Sequence, residues 1–189
     1  DVYVSQSYAK AVQIRLRDDR SYQHITVPPG AVPALSANGR FLVDPMTMAG
    51  IFGNIRPMPY EADFQFGTGL LTSGFKAVLS VHPNADIWLV PPGDAVEIAW
   101  GFGIFPGAYE NPKAHTDGVE FIIEGELPDG RTREVYRRLL DPAQNAADRG
   151  DQQAAIPYTP LSGEKLQFST RPNAHSTFDW AYIINIRVR

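Results

Sequence analysis

Gly118-Val119-Glu120-Phe121-Ile122-Ile123-Glu124, then Leu127-Pro128-Asp129-Gly130, then Arg133-Glu134-Val135-Tyr136-Arg137-Arg138-Leu139-Leu140: this stretch decides the fold. Two runs rich in β-branched and aromatic residues flank an Asp-Gly pair. Asp-Gly supplies the positive φ that a tight turn requires, so the stretch predicts an antiparallel hairpin. The same reading extends outward. On the C-terminal side, residues 153–157, 165–170 and 180–189 read as strands. The last of these is expected to place Ile184, Ile186 and Val188 on one face and Asn185, Arg187 and Arg189 on the other, because side chains alternate along a strand. On the N-terminal side, residues 75–81, 86–90 and 95–104 read as strands, interrupted by His82-Pro83 and by Pro91-Pro92-Gly93-Asp94. Further upstream, residues 12–17 alternate and residues 24–27 form another short run. Residues 31–60 read as a long loop with one short strand near residues 40–43. Residues 141–151 contain three alanines but no apolar stripe, and are expected to hold at most one helical turn.

About nine or ten short strands with no amphipathic helix predict an all-β domain of two packed antiparallel sheets, a jelly-roll sandwich with a long irregular N-terminal loop region. The whole chain, 1–189, is expected to be one such domain. Its 189 residues, 43% hydrophobic and 20% charged, are enough to bury a core without staples. The formal charge of −4 and the absence of a Lys/Arg stripe argue against a nucleic-acid partner. With no cysteine there is no disulfide, thiol nucleophile or thiolate metal site. No stretch has the roughly 18–20 apolar residues of a membrane-spanning helix. The sequence begins at Asp1, which reads as a removed leader or as a piece of a larger protein.

The order of short elements in the second half carries a resemblance. Thr116-Asp117-Gly118-Val119-Glu120-Phe121 precedes the hairpin, followed by Asp148-Arg149-Gly150, Leu166-Gln167-Phe168-Ser169-Thr170 and Asp179-Trp180. Over residues 75–189 this resembles galactose-binding-like jelly-roll domains, including the NPCBM type beside glycosidase domains. It also resembles the β-domains appended to bacterial membrane glycosyltransferases. The resemblance implies an extracytoplasmic setting, periplasmic or cell-surface. It also implies a carbohydrate or lipid-linked sugar as ligand, and a membrane glycosyltransferase domain as a candidate partner. Related jelly rolls often hold a structural calcium, for which Asp117, Asp148 and Asp179 are the candidate ligands; turn capping is the competing role for Asp117 and Asp179.

Sugars present flat C–H faces that stack on aromatic rings, while polar groups take the hydroxyls. Trp88, Trp100, Tyr109 and Tyr158 are candidate platforms, with His115 and His175 as candidate polar partners at one end of the sandwich. Trp88, Trp100 and Trp180 also fit a core role, whereas Tyr109 and Tyr158 sit in Pro-rich segments and are expected to be exposed. Glu97, Glu120, Glu124 and Glu126 lie in or near strands and are the candidates for a glycosidase pair, which requires two carboxylates facing each other across a cleft; Glu120 and Glu124 share one face of a strand, where a solvent-facing role explains them well, so a glycoside hydrolase is the disfavoured third reading. The function expected is non-catalytic carbohydrate binding. The rival is a scaffold domain docking through Met46, Met48, Ile51, Phe52 and Met58.

Overall fold

The computed structural model describes residues 2–4, 11–15, 22–26, 33–35, 41–43, 52–66, 68, 70–73, 76–111 and 115–189, with side chains from residue 52 onward, that of Thr72 apart. Among these residues the structure is all β except for two short 3-10 turns, Pro106–Ala108 and Ala146–Asp148. The strands are β1 (Val2–Val4), β2 (Ala11–Arg15), β3 (Tyr22–Thr26), β4 (Pro33–Leu35), β5 (Phe41–Val43), β6 (Ile55–Arg56), β7 (Glu61–Phe64), β8 (Leu70–Ser73), β9 (Lys76–Ser80) and β10 (Ala85–Leu89). They continue with β11 (Glu97–Ile104), β12 (Val119–Glu126), β13 (Thr132–Leu140), β14 (Gln152–Pro157), β15 (Lys165–Pro172) and β16 (Ala181–Val188).

The sandwich consists of a seven-stranded sheet, β13-β12-β15-β10-β7-β5-β4, and a second sheet, β14-β11-β16-β9-β8, to which β6 adds by pairing with β16. Pairing is antiparallel throughout, save that β6 runs parallel to β16. From β9 to β12 the chain changes sheet at every step, and it does so again from β13 to β16. These crossings place β15 between β12 and β10, and β16 between β11 and β9, the interleaving of a jelly roll. β1, β2 and β3 form a small antiparallel sheet of their own.

Alternation explains the core. β10 buries Ala85, Ile87 and Leu89, β12 buries Val119, Phe121 and Ile123, and β15 buries Leu166 and Phe168. The facing sheet supplies Ile98, Trp100, Phe102 and Ile104 from β11 and Ile183, Ile186 and Val188 from β16. Trp100 is at the centre, its ring 4.4 Å from Phe102, 5.3 Å from Tyr136, 5.6 Å from Phe168 and 6.0 Å from Phe121. At about 25 cal/mol per Å², burying a ring of that size contributes on the order of 4–6 kcal/mol before entropy is subtracted.

Two expectations need correction. Ile184 does not share a face with Ile186 and Val188. The register of β16 on β11 shifts between Gly101 and Phe102, passing from Asn185 to Ile183, and this bulge turns Ile184 outward against Val78 and Tyr182. The 31–60 segment is also less irregular than expected, because β4, β5 and β6 lie within it and join the two sheets. The Asp129-Gly130 hairpin is as expected: Gly130 takes φ +82°, and Leu127 and Arg131 close the loop with a backbone bond of 2.8 Å.

Candidate functional site

Strands β9, β11 and β15 end, and β16 begins, at the same end of the sandwich. The segments between them, residues 81–84, 105–118 and 173–180, are stitched together by backbone bonds. Phe105 N–H donates to Trp180 O at 2.8 Å, Thr116 N–H to Ala108 O at 2.8 Å, and Asn173 N–H to Gly118 O at 3.1 Å. Between them lies an open depression of about 420 Å³ lined by Leu71, His82, Phe105, Pro106, Gly107 and Trp180. Trp180 is 39% exposed, an unusual placement for a side chain of this size.

The position of Trp180 is set by its backbone. Phe178 adopts φ +63°, a left-handed conformation that costs a bulky residue about 1–3 kcal/mol. Trp180 N–H donates to Phe178 O at 2.8 Å and Ala181 N–H to Asp179 O at 3.0 Å, two successive three-residue turns. The turned chain brings the Phe178 and Trp180 rings to 5.7 Å. On the other side, Gly107 clears the way for the indole: a Cβ at that position would sit 3.1 Å from Trp180 Cζ3.

Beneath Trp180, Asp179 is buried, and its Oδ1 accepts from the Thr116 hydroxyl, which in turn accepts from Gly118 N–H at 3.0 Å. Asp117 caps the neighbouring loop, accepting at Oδ2 from Ala174 N–H at 3.0 Å and His175 N–H at 3.3 Å. One oxygen of each carboxylate, Asp117 Oδ1 and Asp179 Oδ2, is buried without a hydrogen-bond donor among the described residues. Burial first, and the nearby Asp117 charge second, push the Asp179 carboxyl up to about 6 against the pull of Thr116. His82 Nδ1 is 3.2 Å from the Asp179 carbonyl oxygen, and burial pulls its imidazole below the ordinary histidine value.

Several candidate residues lie elsewhere. Trp100 is 1% exposed and Tyr158 is 4% exposed, both in the core between the sheets, so neither offers a ring to a ligand. Trp88 is 3% exposed; alternation with Ile87 and Leu89 turns it to the outer face of the seven-stranded sheet, away from the depression. Tyr158 fails as a loop residue because its hydroxyl is drawn inward to Glu164 Oε2 at 3.0 Å. Tyr109 is half-buried against the core, with the Arg149 guanidinium 5.6 Å from its ring centroid. His115 and His175 are exposed at the expected end, and His175 Nδ1 lies 3.4 Å from Asp117 Oδ1. Conversely, Trp180 is at the surface rather than in the core, and Phe52 is in the core rather than on a docking patch, 6.3 Å from Phe64. Met58 is 38% exposed, and Met46, Met48 and Ile51 fall outside the described residues.

The three aspartates do not form one metal site. Asp148 gives its oxygens to Arg138 at 2.9 Å, Asn145 at 3.0 Å and Asp141 N–H at 3.1 Å. Among the described residues no group of three or more His, Asp or Glu side chains is placed to hold a metal. Of the three, only Asp117 and Asp179 come close enough to feel each other's charge. Glu120 and Glu97 are paired with Arg137 and Arg189, and among the described residues the lining of the depression contains no carboxylate.

The opposite end carries two adjoining depressions, about 430 and 280 Å³, that share Gly163 and Lys165. Among the described residues, neither is lined by an aromatic side chain. Sequence reasoning missed Trp180 and His82 because both adjoin strand runs and read as strand or stop residues. The informative signal was Asp179 immediately before Trp180, an acidic turn former at a strand entrance.

No family model and no curated protein matches the chain. Among solved structures, the chain is similar to CBM51 modules. One is the CBM51 of Clostridium perfringens GH95 in complex with methyl-galactose, at 12% identity and TM-score 0.44, covering 69% of this chain and 94% of that one. Another is the M60 catalytic domain with CBM51-1 and CBM51-2 from Clostridium perfringens ZmpB, at 12% identity and TM-score 0.47, covering 100% of this chain and 19% of that one. A third is the tandem CBM51 modules of Sp3GH98, the family 98 glycoside hydrolase from Streptococcus pneumoniae SP3-BS71, at 16% identity and TM-score 0.40, covering 63% and 35%. The chain thus spans nearly all of the first and well under half of the other two. The resemblance expected from the sequence, to β-sandwich domains that accompany glycosidases, falls on the same group. At these identities and TM-scores the likeness assigns no ligand and no residue role to this chain.

Proposed function

We propose that the chain is a non-catalytic carbohydrate-binding domain whose ligand stacks on Trp180. The observation that carries this reading is the exposed indole, held by a strained turn beside Phe105, Pro106 and Gly107, with His82 as a polar group at the same rim. A pyranose needs this combination: an apolar face for its C–H surface and a few fixed polar groups for its hydroxyls. A depression of about 420 Å³, open to solvent, suits one or two sugar units at the end of a chain and modest affinity. The described residues of this lining are apolar apart from His82, which suits binding of a sugar face. In this reading the domain works outside the cytoplasmic membrane within or beside a larger glycan-processing protein, a membrane glycosyltransferase among the candidates. It holds a glycan or lipid-linked sugar for that enzyme.

The test is a glycan-array screen of the purified chain, with Trp180→Ala, Trp88→Phe and Tyr109→Ala alongside. The expected result is a reproducible set of glycans lost with Trp180→Ala and kept by the other two. A blank array for the native chain, or hits that survive Trp180→Ala, would overturn the reading.

A further inference from the structure

The carbohydrate reading identifies the platform but leaves open which way the hydrogen bonds run, and His82 answers that. Its Nδ1 is 3.2 Å from the Asp179 carbonyl oxygen, a group that can only accept. For this contact to be a hydrogen bond, Nδ1 must carry the proton. A neutral imidazole protonated at Nδ1 has a lone pair and no proton at Nε2. Nε2 is on the far side of the ring from Asp179 O and has no partner among the described residues, while His82 itself lines the depression beside Trp180. The neutral form is favoured because the ring is part-buried and burial holds its pKa below the usual value.

Resting on the carbohydrate reading, we infer that His82 is a specificity-determining residue presenting Nε2 as a fixed hydrogen-bond acceptor, so that the ligand must offer it a hydroxyl as donor. The Asp179 carbonyl that sets the tautomer belongs to the same turn that presents Trp180, so platform and acceptor are positioned by one piece of backbone. A site built this way rejects an ether or deoxy position at that hydroxyl, because the acceptor is then left facing a group that cannot donate.

Two measurements on the full chain test this. Long-range ¹H–¹⁵N NMR of the imidazole, without any sugar, is expected to show His82 as the neutral Nδ1–H tautomer; an Nε2–H tautomer would overturn the inference. Titration calorimetry then uses methyl glycosides of galactose, glucose, mannose and N-acetylglucosamine together with their singly O-methylated derivatives. One O-methylation is expected to weaken binding to the native chain about tenfold and to have little effect on His82→Phe, while His82→Gln, which keeps an acceptor, stays within about threefold of native. Thermal melts of both variants confirm folding. If a sugar binds and is lost with Trp180→Ala, yet His82→Phe is as sensitive to O-methylation as the native chain, the inference fails and the carbohydrate reading survives. If no array glycan and no glycoside binds the native chain, both fall.

Discussion

Arg133 and Glu164 meet fork to fork, Nε to Oε1 at 2.7 Å and Nη2 to Oε2 at 3.0 Å, over the bare Cα of Gly125. The carboxylate is 2% exposed and also accepts from Tyr158 Oη at 3.0 Å and Leu161 N–H at 2.7 Å. Burial alone would raise its pKa. The four donors outweigh burial, and the Glu164 carboxyl titrates below its ordinary value. The sign follows: this pair stabilises the fold above the unfolded carboxyl pKa, and that contribution is lost as pH falls through the lower folded value. Arg133→Met strands a buried charge and is expected to cost about 3 kcal/mol at pH 7, read as a lower midpoint in urea, where ionic strength stays constant. A loss under about 0.5 kcal/mol, the range of ordinary surface changes, would show the pair to be incidental.

Gly125 is glycine because the Glu164 carboxylate occupies the space a methyl group would need. Gly125→Ala is therefore expected to destabilise by expelling that carboxylate, on the order of 2 kcal/mol. The specific check is a double-mutant cycle with Glu164→Ala. Once the carboxylate is gone the added methyl has room, so the cost of the double variant should fall well short of the sum of the two single costs.

How far these features were legible in the sequence depended on the range of the interaction that makes them. Residues 118–140 were legible because the turn and the strands are local, and an Asp-Gly with its flanking alternation states its own geometry. Ile184 was misplaced because its direction is set by a register shift against Gly101, eighty-three positions upstream, and no local period records that. Tyr158 looked like a loop residue by its proline neighbours, and only Glu164 and Arg133 together explain why it turns inward. Trp180 and His82 are ninety-eight positions apart and form a site only because β9 and β16 pair and deliver both to the same end.

The Asp117 and Asp179 pair gives a pH signature. Asp179 is raised to about 6 in the folded protein from 3.8, so between these values the folded state holds a proton that the unfolded state has released. Stability contributed by this group then falls as pH rises from about 4 to 6, by about 2–3 kcal/mol for a shift of that size. This is opposite in sign to the Glu164 effect, whose acid limb lies lower. Asp179→Asn mimics the protonated acid and removes the charge that titrates. The variant is expected to be more stable than native at pH 7.5, equal to it near pH 4, and to lack the native slope between. Urea titrations at four pH values measure this, and a native slope retained in Asp179→Asn would assign it to another group.

Gly107 allows the platform to be moved without removing it. A Cβ at this position would sit 3.1 Å from Trp180 Cζ3, close enough that the indole must shift by a few tenths of an ångström for alanine and further for a branched side chain. Gly107 is exposed in the Pro106–Ala108 3-10 turn and its φ is not in the left-handed region, so substitution there imposes no left-handed backbone strain. Gly107→Ala is expected to weaken sugar binding slightly, and Gly107→Val about tenfold, each with a melting temperature close to native. Trp180 is the readout that separates this from a general loop effect: its fluorescence should change maximum in Gly107→Val, and saccharides bound by the native chain should no longer quench it. Unchanged affinity in Gly107→Val would mean that the ligand does not stack on this ring.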